Sequence, residues 1–183
     1  MTESGGIVPE LAAKPIVHAT LQTLLTGQEP LLEVLDTLWQ PVRFGRRYPP
    51  ELFAFALFPF DMALFHHCRA QHDDVLDCVL RLALESVNSI ERDYAHEPVT
   101  MHEWTKCCNR RFREYAESIS LLSDPEAGGN TLMNIGGRIS RNLSGRDEVD
   151  PGIAIRLVEH LLKVRGYAES DMQAVITRAK AKS

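Results

Sequence analysis

The sequence lacks the short motifs by which most catalytic and cofactor-binding sites are recognised. It has no CxxC pair, no GK[ST] of a phosphate-binding loop and no nucleophile elbow around a serine. It also has no zinc-finger, RRM, KH or helix-turn-helix pattern. Each absence removes a class of function, so we expect no cofactor and favour a protein without enzymatic activity.

Disulfide-type cysteine spacings and long apolar runs are also missing. The four cysteines include one adjacent pair and no spacing typical of a disulfide framework: Cys68, Cys78, Cys107 and Cys108. The start of the chain has neither the basic nor the apolar region of a secretory signal. The most apolar stretch, 52–65, is interrupted by Pro59 and Asp61 and is too short to cross a bilayer. We therefore expect a cytoplasmic protein with no membrane partner.

The overall amino-acid composition is typical of a globular domain. Hydrophobic residues make up 44% and charged residues 25% of the 183 positions, enough to bury a core without disulfides or metals. The net charge of −5 is unevenly distributed: residues 1–100 carry 7 Lys/Arg against 14 Asp/Glu, and residues 106–183 carry 13 against 10. This asymmetry indicates two surfaces of opposite sign, unless it is ordinary variation between solvated helix faces.

Apolar residues recur at helical spacing along the chain, and no stretch shows the sustained alternation that strands require. Gly27 and Gly166 are predicted to end helices. The predicted helices cover about 10–26 (or 15–26), 29–39, 50–72, 73–94, 100–123, 131–143 and 151–165, and a last helix follows its cap at Ser170. The fold class is therefore all-α, a single compact bundle of about seven or eight helices with orthogonal or irregular packing. We predict a flexible tail over 1–8 and one helical domain over 9–183, with 124–183 as a separate C-terminal subdomain in one alternative.

Local signals predict particular features of these helices. Thr100 and Glu103 form a capping box, and Asp150 caps the helix that begins at Pro151. The 50–72 helix is apolar on all sides, so we expect it at the centre of the fold, kinked or split at Pro59. Two adjacent glycines inside the 131–143 helix favour a close approach by a neighbouring helix: Gly136 and Gly137.

The densest group of potential metal ligands is His66, His67, Cys68 and His72. If the helix continues, Cys68 and His72 share a face, with Asp61 two turns earlier, which is typical of half a transition-metal site. The alternative is that Cys68 packs in the core and the histidines lie where the helix emerges into solvent. Because no second ligand pair has a matching spacing, we predict no metal site and keep His67, Cys68 and His72 as its weak candidates.

Basic residues recur on two consecutive helices. Lys106, Arg110 and Arg113 follow the spacing i, i+4, i+7 on one helix, and Arg138 and Arg141 share a face of the next. If these helices are neighbours, the five side chains form a stripe that would bind phosphates of nucleic acid or another anion. The alternative is a solvated face that nearby glutamates partly neutralise.

The segment around residues 40–49 combines side chains of the kinds enriched in protein interfaces, and we expect an interaction site there: Trp39, Phe44, Arg46, Arg47 and Tyr48. Packing of Trp39 and Phe44 back onto the domain is the alternative. Together these features favour a non-enzymatic helical interaction subunit or adaptor that binds a protein partner or a second copy of itself. In its sharpest form it belongs to a nucleic-acid-associated complex through the basic helix face. The alternative is a metal- or small-ligand-binding enzyme centred on the region of His66, His67, Cys68 and His72.

Overall fold

The computed structural model describes residues 6–25, 50–92, 99–120, 131–145 and 147–180. These ranges contain six α-helices, one short 3-10 helix and no strand, so the predicted all-α class is confirmed. The elements are α1 Pro9–Leu25, α2 Pro50–Cys68, the 3-10 helix Arg69–Gln71, α3 His72–Arg92, α4 Met101–Ser120, α5 Thr131–Ser144 and α6 Pro151–Lys180. Within the described ranges, none of the helices combines the length and apolar character needed to cross a membrane.

Two helices begin where the sequence predicts, because side chains cap their first turns. Before α4, the Glu103 N–H donates to the Thr100 hydroxyl at 3.3 Å, and the Thr100 N–H donates to the Glu103 carboxylate at 3.1 Å. Before α6, the Asp150 carboxylate accepts the N–H of Ile153 at 3.0 Å, and Pro151 is the first helical residue. Both predicted caps are confirmed.

The predicted count of seven or eight helices is not matched in the described residues. The sequence predicts that a helix ends at Gly166 and another begins after Ser170, but α6 continues through both. Its buried residues keep a helical spacing across the glycine, from Val164 to Ala168 and Met172. Burial of this stripe outweighs the ~1 kcal/mol that a helical glycine costs relative to alanine. The helix predicted over 29–39 lies outside the described residues.

Helix α2 lies at the centre of the fold, as predicted. Every residue from Leu52 to Phe60 is buried, and α2 packs against each of the other five described α-helices. Pro59 lies inside the helix, so the split that we considered at this position does not occur. On one side of α2, the Phe53 ring packs against Trp104 of α4 with ring centroids 4.8 Å apart. This central helix therefore sets the positions of the others.

Helices α5 and α6 meet backbone to backbone at one glycine. A Cβ atom added to Gly136 would lie 2.1 Å from the carbonyl oxygen of Ala154, whereas one added to Gly137 would lie 3.7 Å from the Val149 side chain. The predicted close approach is therefore confirmed at Gly136 and wrong at Gly137. Helix α6 also packs against α1 and α2, and the division at residue 124 stays a prediction.

The described end of the predicted N-terminal tail is held against the 3-10 helix. Ile7 is buried, its N–H donates to the Gln71 side-chain oxygen at 3.0 Å, and its carbonyl accepts the Gln71 amide at 3.3 Å. Residues 1–5 lie outside the described ranges, and the flexibility of the tail stays a prediction.

Candidate functional site

The basic residues predicted to bind nucleic acid lie on α4 and α5, which pack against each other. Two side-chain contacts join the helices: Asn142 donates to the Glu114 carboxylate at 3.0 Å, and Arg138 donates to the Ser118 hydroxyl at 3.1 Å. From Glu114 to Ser118 the chain advances four residues along α4, whereas from Asn142 to Arg138 it goes back four residues along α5. The two helices are therefore antiparallel. The adjacency on which the predicted stripe depends is therefore present.

We call the exposed part of these two helices the basic surface, and all five of its members are exposed: Lys106, Arg110, Arg113, Arg138 and Arg141. Helix α5 contains two arginines and no acidic residue. Arg141 lies between the levels of the two interhelix contacts, within about one helical turn of Arg113 along the helix axis. The antiparallel pairing thus brings cationic residues from both helices to a common level.

Two members of the basic surface already have polar partners. Arg110 lies 3.6 Å from Glu51 of α2, and Arg138 makes the contact with Ser118. Glu117, one turn after Arg113, adds an exposed negative charge to the same side of α4. The other three members have no ion-pair partner among the described residues: Lys106, Arg113 and Arg141. The surface therefore keeps an excess of positive charge.

Arg111, beside the basic surface, has a structural role instead. Its side chain is only 11% exposed, donates to Glu114 at 2.7 Å and lies 3.7 Å from Glu51. Burial opposes ionisation of Glu114, but the hydrogen bond and charge of Arg111 hold the pKa of that carboxyl below its ordinary value. Since Glu114 also accepts from Asn142, this ion pair connects α2, α4 and α5 beneath the basic surface.

The histidine-rich end of α2 differs from the predicted metal half-site. The α-helix ends at Cys68 and a 3-10 helix precedes His72, so the continuous helix that would place both residues on one face does not form. Cys68 is buried, and burial raises the pKa of its thiol, which disfavours the metal-binding thiolate. His67 and His72 contact different carboxylates, so the candidate set of His67, Cys68 and His72 does not assemble.

His66 and His67 instead meet a carboxylate of α6. The Glu169 Oε2 atom lies 3.1 Å from His66 Nδ1 and 3.0 Å from His67 Nε2. The three ligand-type atoms lie within 4.8 Å of one another, and no other His, Cys, Asp or Glu group of three or more does so in the described part of the chain. Sequence reasoning missed Glu169 because 102 positions separate it from His67, and only the packing of α6 on α2 joins them.

His72, the first residue of α3, is held between two carboxylates. Its Nε2 lies 2.8 Å from Asp61 Oδ1, and its Nδ1 lies 2.8 Å from Asp73 Oδ1. The hydrogen bond to Asp61 is the main reason that the pKa of His72 lies above its ordinary value, although partial burial opposes the shift. Both ring nitrogens can donate at once only in the imidazolium form, so the arrangement favours a charged His72.

We expect the stabilising effect of His72 to weaken as the pH rises. A folded-state pKa above the unfolded value of about 6.5 makes the contribution complete below that value, and the contribution is lost as the pH rises through the folded-state pKa. His72→Gln should therefore lower the free energy of unfolding more at about pH 6 than at about pH 8.5, measured by urea denaturation. Asp61→Asn is the matched variant and should diminish the same pH dependence. An equal loss at both pH values in His72→Gln contradicts the charged contact.

The adjacent cysteines, Cys107 and Cys108, do not provide a reactive thiolate. All four cysteines are free, and both Cys107 and Cys108 are buried. Burial, with the nearby charge of Glu51, raises the pKa of Cys107 to about 11, and burial also raises the pKa of Cys108. Both thiols therefore stay protonated near neutral pH, and neither is a good nucleophile or metal ligand there.

The remaining predicted site lies outside the described residues: Trp39, Phe44, Arg46, Arg47 and Tyr48. That interaction site stays a prediction. We compared the chain with protein-family models, with curated proteins and with solved structures. None of the three comparisons found a match.

Proposed function

We propose that this protein is a non-enzymatic binding subunit that attaches to nucleic acid through the basic surface of α4 and α5. The observation that carries the proposal is the antiparallel pairing of these helices through Glu114–Asn142 and Ser118–Arg138. This pairing brings to neighbouring helices the cationic residues that the sequence offers as two separate groups, which supports a common cationic strip. A strip of several cations suits a partner with regularly spaced phosphates better than a partner with a single anionic group.

The net charge of −5 does not prevent such binding, because electrostatic attraction is local at physiological salt. The Debye length there is about 8 Å, so acidic side chains on more distant helices are largely screened. The basic surface acts within that range once phosphates approach it. Its strength then depends on the exposed cations and on the opposing charges of Glu51 and Glu117, which lie beside them.

The chemistry of the basic surface favours contacts with the phosphate backbone over the reading of bases. Its members are four arginines and one lysine, so they offer no aromatic side chain on which a base could stack. Contacts to phosphates fix the position of a nucleic acid but carry no sequence information. We therefore expect binding that is weakly dependent on sequence and strongly dependent on salt.

The decisive experiment measures the binding of a fluorescent 30-base-pair DNA duplex, and of an RNA of equal length, by anisotropy. In the double variant Arg113→Ala/Arg141→Ala, we expect an affinity about tenfold lower and a salt slope reduced by about 2, since two phosphate contacts are lost. The titrations run between about 50 and 200 mM salt, where the logarithm of the binding constant falls linearly with that of the salt concentration.

The matched control removes the same charge from other helices. The double variant Arg81→Ala/Arg178→Ala changes exposed arginines on α3 and α6 and should bind with nearly the wild-type affinity and slope. Loss of affinity to the same extent in both double variants would show that only net charge matters. That result, or an absence of wild-type binding at about 50 mM salt, overturns the proposal.

A further inference from the structure

We infer that His66, His67 and Glu169 form a binding site for a divalent transition-metal ion of the zinc class, between α2 and α6. This site shares no residue with the basic surface, so it stands independently of the proposed nucleic-acid binding. It also differs from the grouping of His67, Cys68 and His72 that the sequence suggested, because His66 and Glu169 take the places of Cys68 and His72.

The two distances from Glu169 to the histidines match the spacing of ligands around a metal ion. Bonds from zinc to a histidine nitrogen or a carboxylate oxygen are about 2.0–2.2 Å long, so neighbouring ligand atoms lie about 3.0–3.5 Å apart. Glu169 Oε2 lies 3.1 Å from His66 Nδ1 and 3.0 Å from His67 Nε2. The two histidine nitrogens lie within 4.8 Å of each other, so a shared ion would require only a small rotation of the histidine side chains.

The donor set indicates the class of metal. Two imidazoles and one carboxylate are the ligands of open zinc sites, which keep a further position for water or a ligand. Calcium and magnesium prefer oxygen ligands alone, so they suit the site poorly. Cys68, the next residue after His67, is 7% exposed and does not join the group. This set of two imidazoles and one carboxylate therefore fits zinc. It also fits cobalt, nickel or copper, which share zinc's preference for imidazole.

The backbone on both sides of the site is anchored in the core. Leu64 on α2 and Ala168 on α6 are each 1% exposed, so the segments that carry the ligands are held by packing. The side chains themselves remain accessible, at 71% for His66, 21% for His67 and 28% for Glu169. An ion can therefore reach preformed ligands from solvent, and it would join two helices whose ligands lie more than a hundred positions apart in the sequence.

The test uses the untagged full chain, treated with a chelator and titrated with zinc by calorimetry. We expect one zinc per chain, with a dissociation constant on the order of micromolar or tighter. The site joins α2 to α6 only in the folded protein. At a hundredfold excess over the dissociation constant, zinc should therefore raise Tm by roughly 5 °C. Titration with cobalt should give the visible absorption bands of a site with nitrogen and oxygen ligands.

Three variants decide whether these residues hold the ion. His67→Ala and Glu169→Gln should each weaken zinc binding by at least about tenfold. His102→Ala removes an exposed histidine of α4 outside the group and should leave the zinc affinity unchanged. Circular dichroism at the titration temperature checks that each variant is folded, and the Gln variant keeps the shape of the glutamate.

Failure of zinc binding by the wild type or failure of the variants to discriminate overturns the inference. The first is the absence of saturable zinc binding by the wild type at about 100 μM, a concentration well above the expected dissociation constant. The second is equal affinity in the wild type, His67→Ala and Glu169→Gln, or an equal loss in His102→Ala. In either case, the short contacts represent hydrogen bonds from two histidines to one carboxylate.

Discussion

Gly136→Ala is expected to lower the free energy of unfolding by about 2 kcal/mol or more, although alanine is the better helix former. The new Cβ would lie 2.1 Å from the carbonyl oxygen of Ala154 and 2.5 Å from its carbonyl carbon. These obstacles are backbone atoms, so no side-chain rotation removes the overlap and α5 must move away from α6. Such overpacking costs about 3 kcal/mol, and the gain of ~1 kcal/mol in helix propensity offsets only part of it.

Gly137→Ala is the matched control for this prediction. The added Cβ would meet the Val149 side chain at 3.7 Å, an ordinary contact distance. We expect a stability equal to that of the wild type or higher by up to ~1 kcal/mol, because the helix propensity improves without a clash. Urea denaturation of both variants measures the difference. If Gly136→Ala is as stable as Gly137→Ala, the two helices do not meet backbone to backbone.

Trp104→Ala is expected to destabilise the protein by about 3 kcal/mol. The side chain is 0% exposed and packs against Phe53 of α2, so its removal leaves a large cavity between α2 and α4. Removing a buried tryptophan costs about 3–5 kcal/mol. We place the effect at the lower end because Trp104 Nε1 is buried without a hydrogen-bond partner among the described residues. Its removal also relieves that desolvation cost of about 1–3 kcal/mol.

Two variants serve as controls for the Trp104 prediction. Trp104→Phe keeps much of the volume and removes the unpaired N–H, so it should cost clearly less than the alanine variant. Tyr167→Ala removes an aromatic side chain that is 57% exposed on α6 and should change stability by no more than ~0.5 kcal/mol. Denaturation of all three variants measures the order, and a loss below ~1 kcal/mol in Trp104→Ala contradicts its place in the core.

The helices were largely predictable because the signals that define them act within a turn or two. The capping box of Thr100 and Glu103 needs only a spacing of three residues. The buried stripe of α4 follows from the period of the helix. Gly166 shows the limit of such reasoning, because the cost of a glycine is local whereas the gain from burying Met172 beyond it depends on other helices.

The same limit of local sequence signals applies to the basic surface. Lys106, Arg110 and Arg113 could be assigned to one face from their spacing alone. The pairing of Arg110 with Glu51 could not, because Glu51 lies on another helix. The contact of Arg138 with Ser118 likewise depends on how α4 and α5 pack. Charge patterning thus predicted which residues form the surface, and packing decided how many of their charges are already engaged.

Sequence alone determined the helical class, the caps at Thr100 and Asp150, and the central place of the apolar helix, because these depend on local hydrogen bonding and on hydrophobic content. Tertiary structure alone decided which polar groups meet. The chain turns after Cys68, which separates that thiol from His72 and directs His72 to Asp61. The packing of α6 on α2 then brings Glu169 to His66 and His67. The physical reason is that burial of apolar faces sets helix positions, and the exposed side chains at their edges take the partners that this packing supplies.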